Sequence, residues 1–313
     1  MLVLGHAGRS SRGGEEAAGR VSTGSGFVLV DKVGGWTSHD VVARSRRILG
    51  LRRIGHAGTL DPMATGLLVL GIGRATRLLR FVTDLPKEYE ATARFGVATD
   101  SLDADGEVTA RAPMSIDRED VAGAMDRFRG EILQTPPMVS AVKVGGKRLY
   151  ELARRGEEVE RPARKVTVYR LGLERFSAGP FPEVRFRVVG GSGLYVRVLA
   201  DDLAKALGGR AHLTSLRRVA SGGLSVEEAW TVERLACLGD EGRLAEAVLE
   251  PSDALSHLPS VSVDREEAAM VRNGRRLPSP PDLDGHVRVT AGGRLLAVYR
   301  ARDDRLVPEV VLT

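Results

Sequence analysis

The stretch 55–70, GHAGTLDPMATGLLVL, joins two unlike segments at Pro62. Residues 55–61 are polar and punctuated by Gly55 and Gly58, and they end in a carboxylate, Asp61. From Leu67 the chain turns apolar and reads as a core strand. An Asp before Pro is ordinarily a turn residue. Here Gly55, Gly58 and Gly66 let backbone or ligand approach closely, while His56 and Thr59 add hydrogen-bonding groups. The apolar run ties the turn to a core, so Asp61 reads as a carboxylate on a rigid support, suited to act as nucleophile or base.

The 313 residues are 42% hydrophobic and 28% charged, enough for a real core and for more than one domain. No apolar run reaches the roughly 18 residues of a membrane span. The N-terminal apolar start is too short for a secretory signal. A single cysteine, Cys237, excludes an internal disulfide; within TVERLACLG it reads as a small buried hydrophobe. These features point to the cytoplasm. The net charge of +5 is concentrated. Arg44, Arg46, Arg47, Arg52 and Arg53 form one basic group, and Lys143, Lys147, Arg148, Arg154 and Arg155 another. Such patches suit a polyanion, nucleic acid first.

Residues 1–24 have no hydrophobic period and read as a disordered tail. GFVLVDK (26–32) predicts a strand, and SHDVVARSRRILG a helix with Ser38 as N-cap and Gly50 as stop. Further strands are expected over 88–100, in ARKVTVYRLGLERF, in PEVRFRVVGG and from Ala211. Helices are expected from about Asp117 and from about Tyr195. Residues 135–156 read as an extended basic loop leading into a short helix. Beyond about 250 the texture becomes short β-elements with tight turns, which places a domain boundary there. Strands and helices mix without regular alternation, so the fold class is α+β.

Other chemistries find little support. Gly71-Ile72-Gly73 lacks the third glycine of a dinucleotide fingerprint. Gly145-Gly146-Lys147-Arg148 lacks the hydroxyl residue of a phosphate loop. The six histidines are not paired at ligand spacing, and no G-x-S-x-G elbow is present. Aromatics are 4%, too few for a base-stacking sheet.

Residues 55–68, GHAGTLDPMATGLL, resemble the signature of the TruB family of tRNA pseudouridine synthases. The likeness extends through GFVLVDKVGGWTSHDVV, KEYEATARFGVATDSLDADGEV, TPPMVSAVKVGGKRLYELARRG and GLYVRVLADDLAKALGGRAHLTSLRRVASG. It covers roughly residues 26–225, with a family-like tail to 313. The resemblance implies an α+β catalytic domain on a mixed, mostly antiparallel sheet (25–250), with a basic RNA-contacting insertion at about 135–165. A small β-rich domain of the PUA kind follows at 251–313.

It also implies the chemistry: isomerisation of uridine to pseudouridine at position 55 in the tRNA T-loop. The base is flipped out, its glycosidic bond is cut, and it is rejoined through carbon. No cofactor or metal is required, and no protein partner is implied beyond the tRNA T-arm. Asp61 matches the family's catalytic aspartate, as nucleophile or base, and Arg197 the arginine that pairs with it and holds it ionised. Tyr89 matches the aromatic stacked on the target base, Tyr195 a second pocket aromatic, and Leu216 an apolar wall. His56 matches a histidine that contacts RNA beside the flipped base. Without the resemblance, Tyr89, Tyr195 and Leu216 read as packing residues, Arg197 as a solvated helix charge, and His56 as an idle turn residue. Leu194 stands where the family has a hydroxyl residue before the tyrosine. A protein that binds and refolds tRNA without turnover is the alternative, disfavoured by Asp61, Tyr89 and Arg197 being intact.

Overall fold

The computed structural model describes residues 24–138, 143–144, 147–148 and 159–312. The expected tail up to residue 23, and the expected helix with Arg154 and Arg155, lie outside the described residues.

A nine-stranded sheet is built from β1 (Gly26–Lys32), β2 (Ile54–Ala57), β3 (Thr65–Ile72), β4 (Lys87–Phe95), β5 (Gly130–Gln134), β6 (Arg164–Ser177), β7 (Glu183–Gly190), β8 (Ala211–Ser221) and β9 (Leu224–Ser225). Its order is β1-β3-β8-β4-β7-β6-β5, with β2 on β3 and β9 on β8. All pairs are antiparallel except β8 with β3, which meet in parallel at Arg217–Thr65 and Arg218–Gly66. That junction explains one glycine. Gly66 has φ +98°, and a Cβ there would sit 2.2 Å from the Arg218 carbonyl oxygen.

Alternation sorts the central strands into two faces. In β7, Val184, Phe186 and Val188 are buried while Arg185 and Arg187 point outward. The outward face carries ion pairs of Arg185 and Arg187 with Glu88, Glu90 and Glu174. These pairs are exposed enough to contribute little stability. The inward face packs on α2 (Arg118–Asp126) and α3 (Val196–Ala206), while α1 (Ser38–Leu49) packs on α4 (Val232–Asp240). α1 ends at Gly50 in the left-handed region, as its sequence predicts. Its N-cap, however, is Thr37, in a reciprocal box with Asp40. Ser38 is thereby free to bond elsewhere. Its buried hydroxyl accepts from the Leu60 amide at 2.9 Å and donates to the Leu60 carbonyl at 3.3 Å.

Two further expectations are corrected. Cys237 is exposed, because Val232, Leu235 and Leu238 take the buried side of α4 and leave Cys237 on the other. The first arginine group is also partly committed to the fold. Arg46 donates to the Ile54 carbonyl at 3.1 Å, and Arg53 to the Thr76 hydroxyl at 2.8 Å.

A second sheet of five strands, separate from the first, comprises β10 (Ser260–Ser262), β11 (Leu277–Pro278), β12 (Gly285–Ala291), β13 (Arg294–Arg302) and β14 (Arg305–Val311), ordered β10-β12-β13-β14-β11. It has its own core around Val287, Val289 and Tyr299. Its other side shares a core with the large sheet, where Leu295, Val298 and Val310 join Phe27, Leu29, Leu67 and Val69. Burying side chains of this size contributes about 2 kcal/mol each. Arg80 meets Glu309 across the same junction, and His286, on the second sheet itself, meets the same acid.

Candidate active site

The turn after β2 carries Asp61 to the floor of a cleft of about 210 Å³. Three contacts fix the turn from behind. Ser38 clamps Leu60, as above. Lys32, fully buried, donates to the carbonyls of Val33, Trp36 and Pro62 at 3.0, 2.7 and 3.1 Å. The Gly35 amide donates to the Pro62 carbonyl at 2.9 Å. Leu60 and Ala64 are buried on either side of the acid. The backbone that carries the carboxylate is therefore fixed by the Ser38 and Lys32 side chains and the Gly35 amide.

Arg197, in the first turn of α3, is 2% exposed and is not a solvated helix charge. Its Nε lies 2.9 Å from Asp61 Oδ2, and its Nη1 3.1 Å from Asp103 Oδ2. Nη1 also donates to the Ser101 carbonyl at 2.7 Å. Asp103 is itself oriented, since its Oδ1 accepts from the Ser101 hydroxyl at 2.6 Å and the Asp105 amide at 3.2 Å. The guanidinium thus pairs by charge with both carboxylates. Asp61 keeps 34% of its side-chain surface open to the cleft, while Asp103 keeps 7%. Burial nevertheless pushes the Asp61 carboxyl above its usual range; Arg197 pulls it back and Asp103 adds to the rise. The sequence expectation that the arginine sets the ionisation is thus incomplete: burial decides the sign.

Tyr89, Tyr195, Arg197 and Leu216 line the same cleft as Asp61. Tyr89 stands on β4 in register with Arg218 of β8, and Ala91 with Leu216, so the sheet alternation carries Tyr89 and Leu216 to the same face. Tyr195 caps the start of α3, where the buried Gln134 brackets its backbone. The Gln134 amide donates to the Tyr195 carbonyl at 3.2 Å and accepts from its amide at 3.0 Å. His56 lies apart from these groups. It is not among the lining residues and stands edge-on to His39 of α1, with ring centroids 5.6 Å apart. Burial lowers its pKa, with His39 and Arg218 adding to the effect. Leu194 turns its side chain onto Gly190, where a Cβ would lie 2.1 Å from Leu194 Cδ2.

Sequence reasoning missed Asp103, Gln134, Lys87 and Arg218. Lys87 and Arg218 are 6% and 1% exposed and line the end of the cleft near Gly58. Arg218 donates to the Leu67 carbonyl at 2.6 Å and the Gly58 carbonyl at 3.1 Å. Lys87 donates to the carbonyls of Thr83 and, at 2.7 Å, Leu85. Burial lowers Lys87 to about 8, with Arg218 pressing in the same direction. Lys32 falls to about 8 for the same first reason, with Asp61 opposing. The room made by Gly58, at φ +80°, is taken by these two cations and is not open space. Among the described residues, no group of three or more His, Cys, Asp or Glu could hold a metal ion. No helix among them is long and apolar enough to cross a membrane.

The mixed sheet opens at its centre into a cleft with an aspartate–arginine floor and tyrosine walls. Comparison with known proteins shows the family to which this arrangement belongs. Residues 46–196 match the TruB family pseudouridylate synthase N-terminal domain. Residues 197–256 match the tRNA pseudouridylate synthase B C-terminal domain, and 258–313 the tRNA pseudouridine synthase II C-terminal domain. The chain belongs to the TruB family of pseudouridine synthases.

Relatives named tRNA pseudouridine synthase B share this sequence over most of their length. The one from Thermobifida fusca is 47% identical over 91% of this chain and 98% of its own. The one from Azoarcus sp. is 44% identical over 91% and 93%. The one from Symbiobacterium thermophilum is 49% identical over 84% and 86%. Among solved structures, a chain of a Cbf5–Nop10–Gar1 complex superposes with TM-score 0.71 at 27% identity, covering 91% of this chain and 83% of that one. A chain of an H/ACA RNP bound to a substrate RNA containing 2′-deoxyuridine reaches TM-score 0.72 at 24% identity, over 94% and 86%.

Proposed function

We propose that this TruB-family synthase isomerises the uridine at position 55 in the T-loop of tRNA, with Asp61 as its catalytic residue. The observation that carries the reading is the Asp61–Arg197 pair on the floor of a cleft walled by Tyr89, Tyr195 and Leu216. The bond between C1′ and N1 breaks and a bond between C1′ and C5 forms. N1 gains a proton and C5 loses one. Electrons balance within the nucleotide, so the isomerisation needs no redox partner.

The target base must leave its stack, which costs a few kcal/mol. Stacking on Tyr89 and Tyr195 and burial against Leu216 offset that cost. Arg197 holds the Asp61 carboxylate toward the sugar. His56, beside His39 and outside the cleft lining, meets RNA next to the flipped nucleotide. Residues 25–250 act as the catalytic body, in which the insertion at about 135–165 grips the T-arm. Residues 251–313, as a PUA-like domain, extend the RNA contact. The enzyme works in the cytoplasm on tRNA without a further protein partner.

The test is a T-arm hairpin carrying 5-tritiated uridine, incubated with wild-type chain and with Asp61→Asn. Wild-type release of tritium is expected, with loss of about 10⁴-fold or more in the variant and hairpin affinity within a few-fold. Binding without release from the wild type would favour an RNA-refolding role instead.

A further inference from the structure

We propose that the end of the cleft formed by Lys87 and Arg218 at Gly58 is a phosphate site, and that it holds the RNA phosphodiester adjoining the flipped uridine. The proposal rests on the uridine-isomerising reading above and adds a subsite to it. The two cations converge: a Cβ placed on Gly58 would lie 3.3 Å from Arg218 Nη1 and 3.5 Å from Lys87 Cε. Both are nearly fully buried, yet no carboxylate of a described residue lies within 4.0 Å of either. Asp84 acts on Lys87 only from further away.

Other buried charges among the described residues differ: Lys32 already gives all three ammonium hydrogens to backbone carbonyls, with Asp61 acting on it from further away, and the rest meet opposite charges. Arg197 lies between Asp61 and Asp103, and the buried Asp201 meets Arg210 at 2.7 Å and Lys205 at 2.9 Å. Buried ions without a counter-charge cost several kcal/mol each, and two like charges side by side cost more. Backbone carbonyls take two hydrogens from each cation, which orients them without cancelling their charge. Arg218 Nη1 has no partner among the described residues, and the Lys87 ammonium has a third hydrogen to give.

An anion entering from the cleft would complete both groups. On the reading above, the flipped nucleotide enters the cleft lined by Tyr89 and Tyr195, and a nucleotide within a strand brings a phosphodiester on each side. A monoanion of that chemistry fits a buried Lys–Arg pair through charge-assisted bonds.

The experiment uses the full-length chain and T-arm hairpins that each carry one neutral methylphosphonate linkage, placed 5′ to the target, 3′ to it, or remote from it. In the wild type, one flanking linkage is expected to weaken binding about tenfold, and remote linkages no more than about twofold. Lys87→Gln, which keeps an N–H for the Thr83 carbonyl, should bind the natural hairpin about tenfold more weakly and no longer distinguish the linkages. A thermal-shift series with inorganic phosphate against chloride at equal ionic strength tests the same site without RNA. There the wild type, and not Lys87→Gln, should be stabilised. Equal affinity for all linkages in a wild type that still releases tritium overturns the phosphate site and leaves the function standing. Retained discrimination in a folded Lys87→Gln overturns it as well. If the hairpin is neither bound nor turned over, the function fails, and the inorganic phosphate series alone decides whether the anion site exists.

Discussion

The two ends of the cleft bury the same kinds of charge in opposite proportion. At the Asp61 end one guanidinium is shared by two carboxylates, all three oriented through backbone and hydroxyl contacts. At the Gly58 end two cations meet with backbone carbonyls for company and, among the described residues, no acid within reach. The first arrangement is complete before substrate arrives, as preorganised chemistry requires. The second stays electrostatically open, which suits a surface whose counter-charge travels with the ligand. A cleft built this way holds its reactive group still and lets binding energy be released at a distance from it.

The strongest way to break the contrast is to remove the shared cation. Arg197→Met leaves Asp61 and Asp103 facing each other in a buried space, and we expect tritium release to fall at least about a thousandfold. Thermal denaturation should show a loss of about 3 kcal/mol, the cost of uncompensated buried charge. Asp103→Asn is milder. It removes a charge that raises the Asp61 carboxyl, so the acid limb of the pH–rate profile should move to lower pH, with the plateau reduced about tenfold through looser placement of Arg197.

Lys32→Met sharpens the comparison through stability rather than rate. Folded Lys32 titrates near 8, against 10.5 when unfolded, so between those values the unfolded chain binds more protons. The wild type therefore gains stability relative to the variant as pH rises from about 8 to 10.5, and their difference in denaturation midpoint should be flat below that window. The smallest effect is expected from Leu194→Thr. It restores a hydroxyl beside the cleft but gives up the contact over Gly190, so turnover should stay within about twofold and stability fall by about 1 kcal/mol.

Much of the first end was legible in the sequence, and little of the second. The strand after Asp61 announced its burial by an unbroken apolar run, and the glycine turn announced the bend. Tyr89, Leu216 and Arg197 reached the cleft through resemblance to a family, because an aromatic in a strand or a charge on a helix has no local mark of function. Lys87 and Arg218 carried no signal at all. A lysine opening a charged strand and an arginine in a Leu-Arg-Arg run both read as solvated, and only strand pairing across more than a hundred residues buries them. Asp103 hid in an acidic turn for the same reason. Ser38 looked like a cap because it precedes an apolar period, yet Thr37 one residue earlier left it free to clamp Leu60. Cys237 was misread although its own helix held the answer, since Val232, Leu235 and Leu238 already define the buried side.

The shared core of the two sheets has a consequence for how the chain is made. Phe27, Leu29, Leu67 and Val69 emerge from the ribosome early, but Leu295, Val298 and Val310, which help cover them, are added much later. At usual synthesis speeds the gap between Leu67 and Leu295 is roughly ten to fifty seconds. Throughout that interval the back of the catalytic sheet is a sticky, half-dressed surface. The nascent protein is thus most exposed to misassociation while its active site is already encoded, and it becomes safe only when its final strand is in place.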